Sequence, residues 1–536
     1  KMKTVVSLAA FAAGALSQAT FEPADFNITE ALLKNGVNVS AIPELASFAE
    51  RSLSSGCSAA CTSLKLIFGD DQVETQSESA YTAFLNDFWS AQQAEISPQC
   101  VFKPEKALDV STSVLLSRLT QCPFAAKSGG HSAVPGGSNV EGGITISFER
   151  MNKTTPSDDR KSVSFQPGQT WYDVYTKLEQ YQLTIIGGRV SGVGVGGLTL
   201  GGGISYFSSV YGLSCDNVIS FELVTATGVV ITVSKTSYPD LFWALRGGGN
   251  NFGLVTQFNV NALPRADTMW GGSRTYLESE WPALLEAYIN LGKQANQDGK
   301  AHQILSFVNY SGSDPIALVE LEYADPVTNA TILEEYNTIE GAIADTTAVR
   351  SLAELTTLID GNGEYNGKRQ AFWTWTTKLD LEMATLTKDI FYEEIASVKD
   401  VADFVGAVSL QVITDPILEK TKLNGGNALG LDPKDGPLAL FLVSPSWSNS
   451  ADDETVNQFA ARVMDRCVEA AKAAGKLNDY LYMNYASPYQ NPIGGYGAAN
   501  QARLTAISKK YDPTGVFQNL QPGYFKLDGT APLGQL

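Results

Sequence analysis

Two stretches decide how this chain folds: Lys127-Ser128-Gly129-Gly130-His131-Ser132, and Gly192-Val193-Gly194-Val195-Gly196-Gly197-Leu198-Thr199-Leu200-Gly201-Gly202-Gly203. Adjacent glycines open backbone conformations closed to other residues, so main-chain N–H groups can turn inward and form a nest for phosphate oxygens. Any one glycine pair is more often a turn than a ligand loop. Two such runs without side-chain obstruction suit an extended dinucleotide whose pyrophosphate is met by main chain. The second run also contains G-x-G-x-x-G. A Rossmann site would need a strand before it, a helix after it and an acidic ribose ligand further on. The segment Leu183-Thr184-Ile185-Ile186-Gly187-Gly188 could supply the strand. Gly201 to Gly203 fall where the helix must continue, at about 1 kcal/mol each, which argues against that site. Walker A is absent.

Outward from these loops, composition narrows the function classes. The 536 residues hold 38 Lys+Arg against 57 Asp+Glu, a net charge of −19. Such a chain is repelled by phosphate backbones, which excludes ordinary nucleic-acid binding. Charged residues at 18% and apolar residues at 44% are the balance of a folded protein. The only histidines, His131 and His302, have no ligand-spaced neighbours, so no metal site is expected. No G-x-S-x-G elbow is present. His131 sits inside the first glycine nest, where it could act as a base or become covalently attached to a cofactor. His302, in an apolar strand, reads as structural. Asp452-Asp453 reads as a helix N-terminus.

After Lys1, one lysine, an apolar run and small residues ending near Ala19 read as a secretory signal peptide over 1–19. A secreted, soluble protein is therefore expected. Its six cysteines (57, 61, 100, 122, 215 and 467) contain no C-x-x-C, and secretion makes disulfides plausible among the first four. Four cysteines allow three pairings, which spacing leaves open. Sequons at Asn27, Asn38, Asn152, Asn309 and Asn329 permit glycosylation.

Residues 20–97 read as helical and polar. From 98 to 266, short apolar runs alternate with Gly-rich turns; 218–234 reads as two strands around a Thr-Gly turn, and 173–182 as a helix with an acidic first turn. Residues 267–477 mix strands (301–310, 316–324, 406–414, 437–447) with amphipathic helices such as 454–475, a second α+β domain. The tail, 478–536, has a different texture.

Four segments now carry a family resemblance: the KSGGHS loop, the run 192–218, LFWALRGGGNNFGLVT (241–256), and the tail YMNYASPYQ with RLTAISKKYDPTGVF. Together they resemble the vanillyl-alcohol-oxidase, PCMH-type FAD-binding superfamily, and within it the fungal berberine-bridge-enzyme-like oxidases. The resemblance covers about 98–266 and 478–536. It implies an α+β fold: a two-subdomain PCMH-type FAD-binding domain, with 267–477 as a substrate domain whose antiparallel sheet is covered by helices. It implies FAD carried on His131 through the flavin 8α-methyl carbon. Many relatives add a cysteine link; the matching position is Val190, so one link is expected, and Cys215 lies outside that position. A frequent histidine of relatives is Leu198 here. Val193 matches a position where valine goes with oxygen access. The pyrophosphate is expected on Ser128, Gly129, Gly130, Gly194 and Gly197, with Lys127, Ser132 and Gly202 also in contact. Gly253 and Val255 match adenine-side positions, Asn484 and Gln521 the isoalloxazine and ribityl region.

Oxidising a C–H bond at a flavin needs a base for the substrate's O–H or N–H proton. Tyr482 is the candidate, on the face of Asn484 if the segment is extended, which would turn Tyr485 away. Tyr206, Gln411, Trp373 and Trp375 are candidates for the substrate cavity. Three functions compete: an FAD oxidase of an alcohol, sugar or specialised metabolite releasing hydrogen peroxide; a redox-neutral flavoprotein scaffold for a cyclisation; and a secreted carbohydrate-binding protein without cofactor.

Overall fold

The computed structural model describes residues 20–46, 48, 56–264, 268–310, 312–534 and 536. The proposed signal peptide lies outside the described residues.

The first glycine loop hangs from a small mixed sheet. Its strands run Val73–Thr75, Cys100–Phe102, Ile144–Ser147, Phe124–Lys127, and the last three are parallel. Loop 128–132 therefore leaves the carboxyl end of a parallel strand, the end at which such sheets place ligands. The helix Cys57–Phe68 is pinned to this unit: Cys57 pairs with Cys122, and Cys61, one turn on, pairs with Cys100. Cys215 and Cys467 are buried free thiols.

The second subdomain is a five-stranded antiparallel sheet ordered Thr154–Pro156, Ser162–Phe165, Leu254–Asn261, Val218–Val224, Val230–Ser234. The last two form the hairpin read from the sequence. The helix Trp171–Glu179 opens on a capping box, with Thr170 and Asp173 satisfying each other's backbone N–H. It buries Trp171 against the Gly187-Gly188 pair that precedes the second glycine run, where a Cβ on either glycine would strike the indole. The run 192–203 forms only the short helix Val195–Leu200. Gly202 and Gly203 end it by adopting positive φ (117° and 87°), and a Cβ on Gly201 or Gly203 would strike Asn484 or Ser214.

The segment expected to form the substrate domain builds an 11-stranded antiparallel sheet. Helices Trp281–Gln294, Leu381–Glu394 and Asp453–Ala473 cover one face. Strand alternation then sorts the residues. Leu305, Phe307, Val319, Leu321, Leu410, Phe441 and Val443 pack under the helices. Their alternates Ser306, Leu318, Glu320, Ser409, Gln411, Leu442 and Ser444 face the subdomains that carry the glycine runs. The tail packs back on those subdomains: Asn250 and Asn251 donate to the carbonyls of Gly523 and Phe525, and Phe517 meets Phe124.

A second seam joins the domains beside the Trp89 ring, which packs on His131 and Phe372. Gly367 N–H donates to Trp89 O, Ala91 N–H to Lys368 O (both 2.9 Å), and Gln92 exchanges side-chain hydrogen bonds with the Gln370 backbone. Arg369 completes it with ion pairs to Glu95 and Asp453.

Candidate active site

The domains enclose a cavity of about 440 Å³. Its floor is the two glycine runs. They touch main chain to main chain: a Cβ on Gly194 would lie 2.1 Å from Gly129 N, and one on Gly129 would lie 2.6 Å from Gly194 N. Ser128 Oγ accepts from Gly196 N–H and donates to Pro167 O, tying the loops together. Gly197 faces open space, and Gly253 and Val255 continue the floor. The buried Gln521 Oε1 has no hydrogen-bond partner and lies at the cavity wall. A groove of unobstructed main chain with an unpartnered amide fits a dinucleotide.

His131 lines the cavity with its ring stacked on Trp89, centroids 4.1 Å apart and planes 13° apart. Burial pushes its pKa down to about 4, so the imidazole is neutral at ordinary pH and keeps a nucleophilic ring nitrogen. Val190, Val193 and Leu198 also line the cavity, whereas Cys215 lies in the hydrophobic core. Ser132 lines it too. Lys127 and Gly202 do not: the Lys127 ammonium pairs with Asp87 at 2.8 Å.

Tyr482, Asn484 and Tyr485 all reach the cavity. The segment is not extended; Met483–Tyr485 makes a 3₁₀ turn, so Tyr485 packs against Tyr482 at 4.8 Å instead of turning away. Three N–H groups, from Gly203, Ile204 and Asn484, converge on the Tyr482 hydroxyl oxygen at 3.0–3.2 Å. With every partner donating, its own O–H has the cavity to point into. Burial nevertheless holds this phenol above its usual pKa, outweighing the donors.

Of the expected substrate contacts, Gln411 lines the cavity. Trp373 and Trp375 do not: in register with Val443 and Phe441, they share the helix-covered face, and Trp375 stacks on Phe441. Phe372, just before them, takes the place. Tyr206 is buried behind the wall, donating to Arg189 O.

A polar network escaped the sequence reading. Arg189 donates to Tyr485 Oη at 2.7 Å and meets His302 Nε2 at 3.0 Å; His302 Nδ1 meets Glu322 at 2.7 Å. His302 is thus neutralised between an arginine and a carboxylate, and burial pushes its pKa down. Glu320, on the same strand face as Glu322, opens into the cavity. A signal was present: Ile316–Tyr323 carries acids at alternate positions of a strand otherwise nearly all apolar.

A dinucleotide groove lying under a second domain, with a neutral histidine at the junction, defines a flavin-dependent oxidoreductase. Residues 98–234 match the FAD binding domain family FAD_binding_4. An FAD-dependent monooxygenase of Cochliobolus heterostrophus is 35% identical over 453 residues, 82% of this chain and 87% of that protein. In fold, the chain is similar to 6-hydroxy-D-nicotine oxidase of Arthrobacter nicotinovorans (TM-score 0.70, 22% identity, 85% of this chain and 97% of that one). It is also similar to xylooligosaccharide oxidase of Myceliophthora thermophila C1 (TM-score 0.69, 20% identity, 88% and 100%). The chain belongs to the family of such fungal FAD-dependent monooxygenases, and its fold is the one it shares with the two oxidases. It is an enzyme that uses FAD, which removes the cofactor-free carbohydrate binder from consideration.

Proposed function

We propose that the protein is a secreted oxidase that removes a hydride from an alcohol, sugar or specialised metabolite and passes the electrons to dioxygen. The observation that carries this reading is the cavity, which sets His131 and the glycine floor opposite a polar sheet face. FAD, when bound, supplies the two-electron acceptor, and dioxygen reoxidises it with release of hydrogen peroxide. His131 holds it by one covalent bond; Val190 and Leu198 offer no second link. Gly129, Gly130, Gly194 and Gly197 receive the pyrophosphate, Gly253 and Val255 the adenine side, and Asn484 and Gln521 the ring system. Tyr482 takes the substrate proton from its ionised form, and the three N–H groups around its oxygen stabilise the phenolate that has to be present before the step. Val193 leaves room for dioxygen. The apolar leader, two disulfides and exposed sequons at Asn27, Asn38, Asn152 and Asn329 support secretion.

The test is peroxide release by the purified flavoprotein across a panel of alcohols, sugars and amines. Turnover with stoichiometric peroxide supports the oxidase. The relatives' name favours a second reading, oxygen insertion; turnover with label from ¹⁸O₂ in the organic product and no peroxide would establish that instead. A product isomeric with its substrate would mark the redox-neutral scaffold.

A further inference from the structure

We propose that Glu320 and Gln411 form an acceptor subsite that selects substrates bearing a protonated amine. This rests on the reading of the cavity as a flavin oxidase's substrate pocket and narrows its substrate class.

Two side chains carry the proposal, each more than nine-tenths buried and each lining the cavity. Glu320 is 7% exposed, and among the described residues no hydrogen-bond or ion-pair partner reaches its carboxylate. Gln411 is 4% exposed; its Nε2 donates to Tyr485 Oη at 3.3 Å, leaving Oε1 buried without a donor. A buried polar group without a partner is costly, and both of these lack the same thing, a donor.

Charge points to a cation rather than a neutral hydroxyl. The neighbouring network has its own pairing: Arg189, which also lines the cavity, binds Tyr485 Oη and His302, and His302 in turn meets Glu322. Glu320, two residues from Glu322 on the same strand face and so about 7 Å away, is the carboxylate left over. The lysine nearest in sequence to the glycine floor, Lys127, is committed to Asp87 outside the cavity lining. Burial raises Glu320 to about 7, the behaviour of a carboxylate whose counter-charge is missing. Phe372 and Tyr485, edge to face with centroids 5.8 Å apart, add aromatic surface that an ammonium group can lie against.

The test uses the full FAD-loaded protein and three probes of one shape: benzylamine, benzyl alcohol and benzoate. Binding is read from the perturbed flavin absorption at about pH 8, where Glu320 is ionised and benzylamine is still charged. Wild type should bind benzylamine at least tenfold more tightly than benzoate, with benzyl alcohol between. Glu320→Gln should cost benzylamine about tenfold to a hundredfold and leave benzyl alcohol within a few-fold. Gln411→Leu should weaken benzylamine less. An unchanged flavin spectrum and a melting temperature no lower than that of wild type show that the variants are folded. Benzoate binding as well as benzylamine, an order unchanged in Glu320→Gln, or no benzylamine binding would overturn the proposal. Protein purified without flavin would instead count against the cofactor reading; calorimetry with the same probes then still reads the charge preference.

Discussion

At the scale of single residues, the site divides by how locally its chemistry is written. His131 could be read directly, because a histidine inside a glycine nest is a feature of six consecutive letters. Glu320, Arg189 and Tyr485 could not, since their meeting depends on which face of a strand turns toward the cavity and on a 3₁₀ turn that sequence does not mark. If His131 holds FAD, His131→Ala should leave the acid-precipitated pellet without flavin fluorescence while wild type fluoresces. Tyr482→Phe should lower kcat by about 10²–10⁴-fold, the usual range for a lost general base. Because burial holds the phenol above its ordinary value, wild-type kcat should still be rising at alkaline pH. Glu320 gives a stability prediction. Its pKa is about 7 folded, against about 4.3 in an unfolded chain, so the folded form binds the extra proton between those values. Stability therefore falls as pH rises through that window; Glu322, whose carboxyl pKa is held up by burial and the neighbouring Glu320, is eased when Glu320 is removed, which acts in the same direction. Glu320→Gln should raise the melting temperature at about pH 8 and change it little near pH 4, below the window.

Among the elements, most strands and helices follow from pattern, but their facing does not. The alternation in Trp373–Lys378 is plain, yet only the pairing with Leu438–Val443 reveals that its tryptophans point under the helices. The disulfides show the same limit: Cys57 and Cys61 lie on one helix face, and which partner each takes depends on where Cys100 and Cys122 are carried by a strand and a helix end. The glycine runs were legible as loops, and their use as a joint between two subdomains came only with their contact. Gly194→Ala should push that joint apart. We expect at least a tenfold loss in flavin affinity, measured by dialysis of a His131→Ala, Gly194→Ala double variant against His131→Ala alone, with the disulfide pairing intact.

For the whole molecule, net charge and the absence of metal-ligand spacing excluded whole classes of partner before any fold was in view. Among the described residues no helix is long and apolar enough to cross a membrane, and no cluster of three metal-ligating side chains occurs. If FAD fills the groove between the two subdomains, its removal should be felt globally. The His131→Ala protein should melt higher with free FAD than without, by the equivalent of about 2.7 kcal/mol at a hundredfold excess over Kd. The seam of residues 89–95 against 367–370 bears on how this enzyme handles molecules of different size. With the walls of the cavity stitched together at this seam as well as along the tail, the chamber should behave as a casting mould rather than a jaw. A guest slightly too large is refused at the threshold, and tolerance for new substrates has to be won by trimming wall residues one at a time.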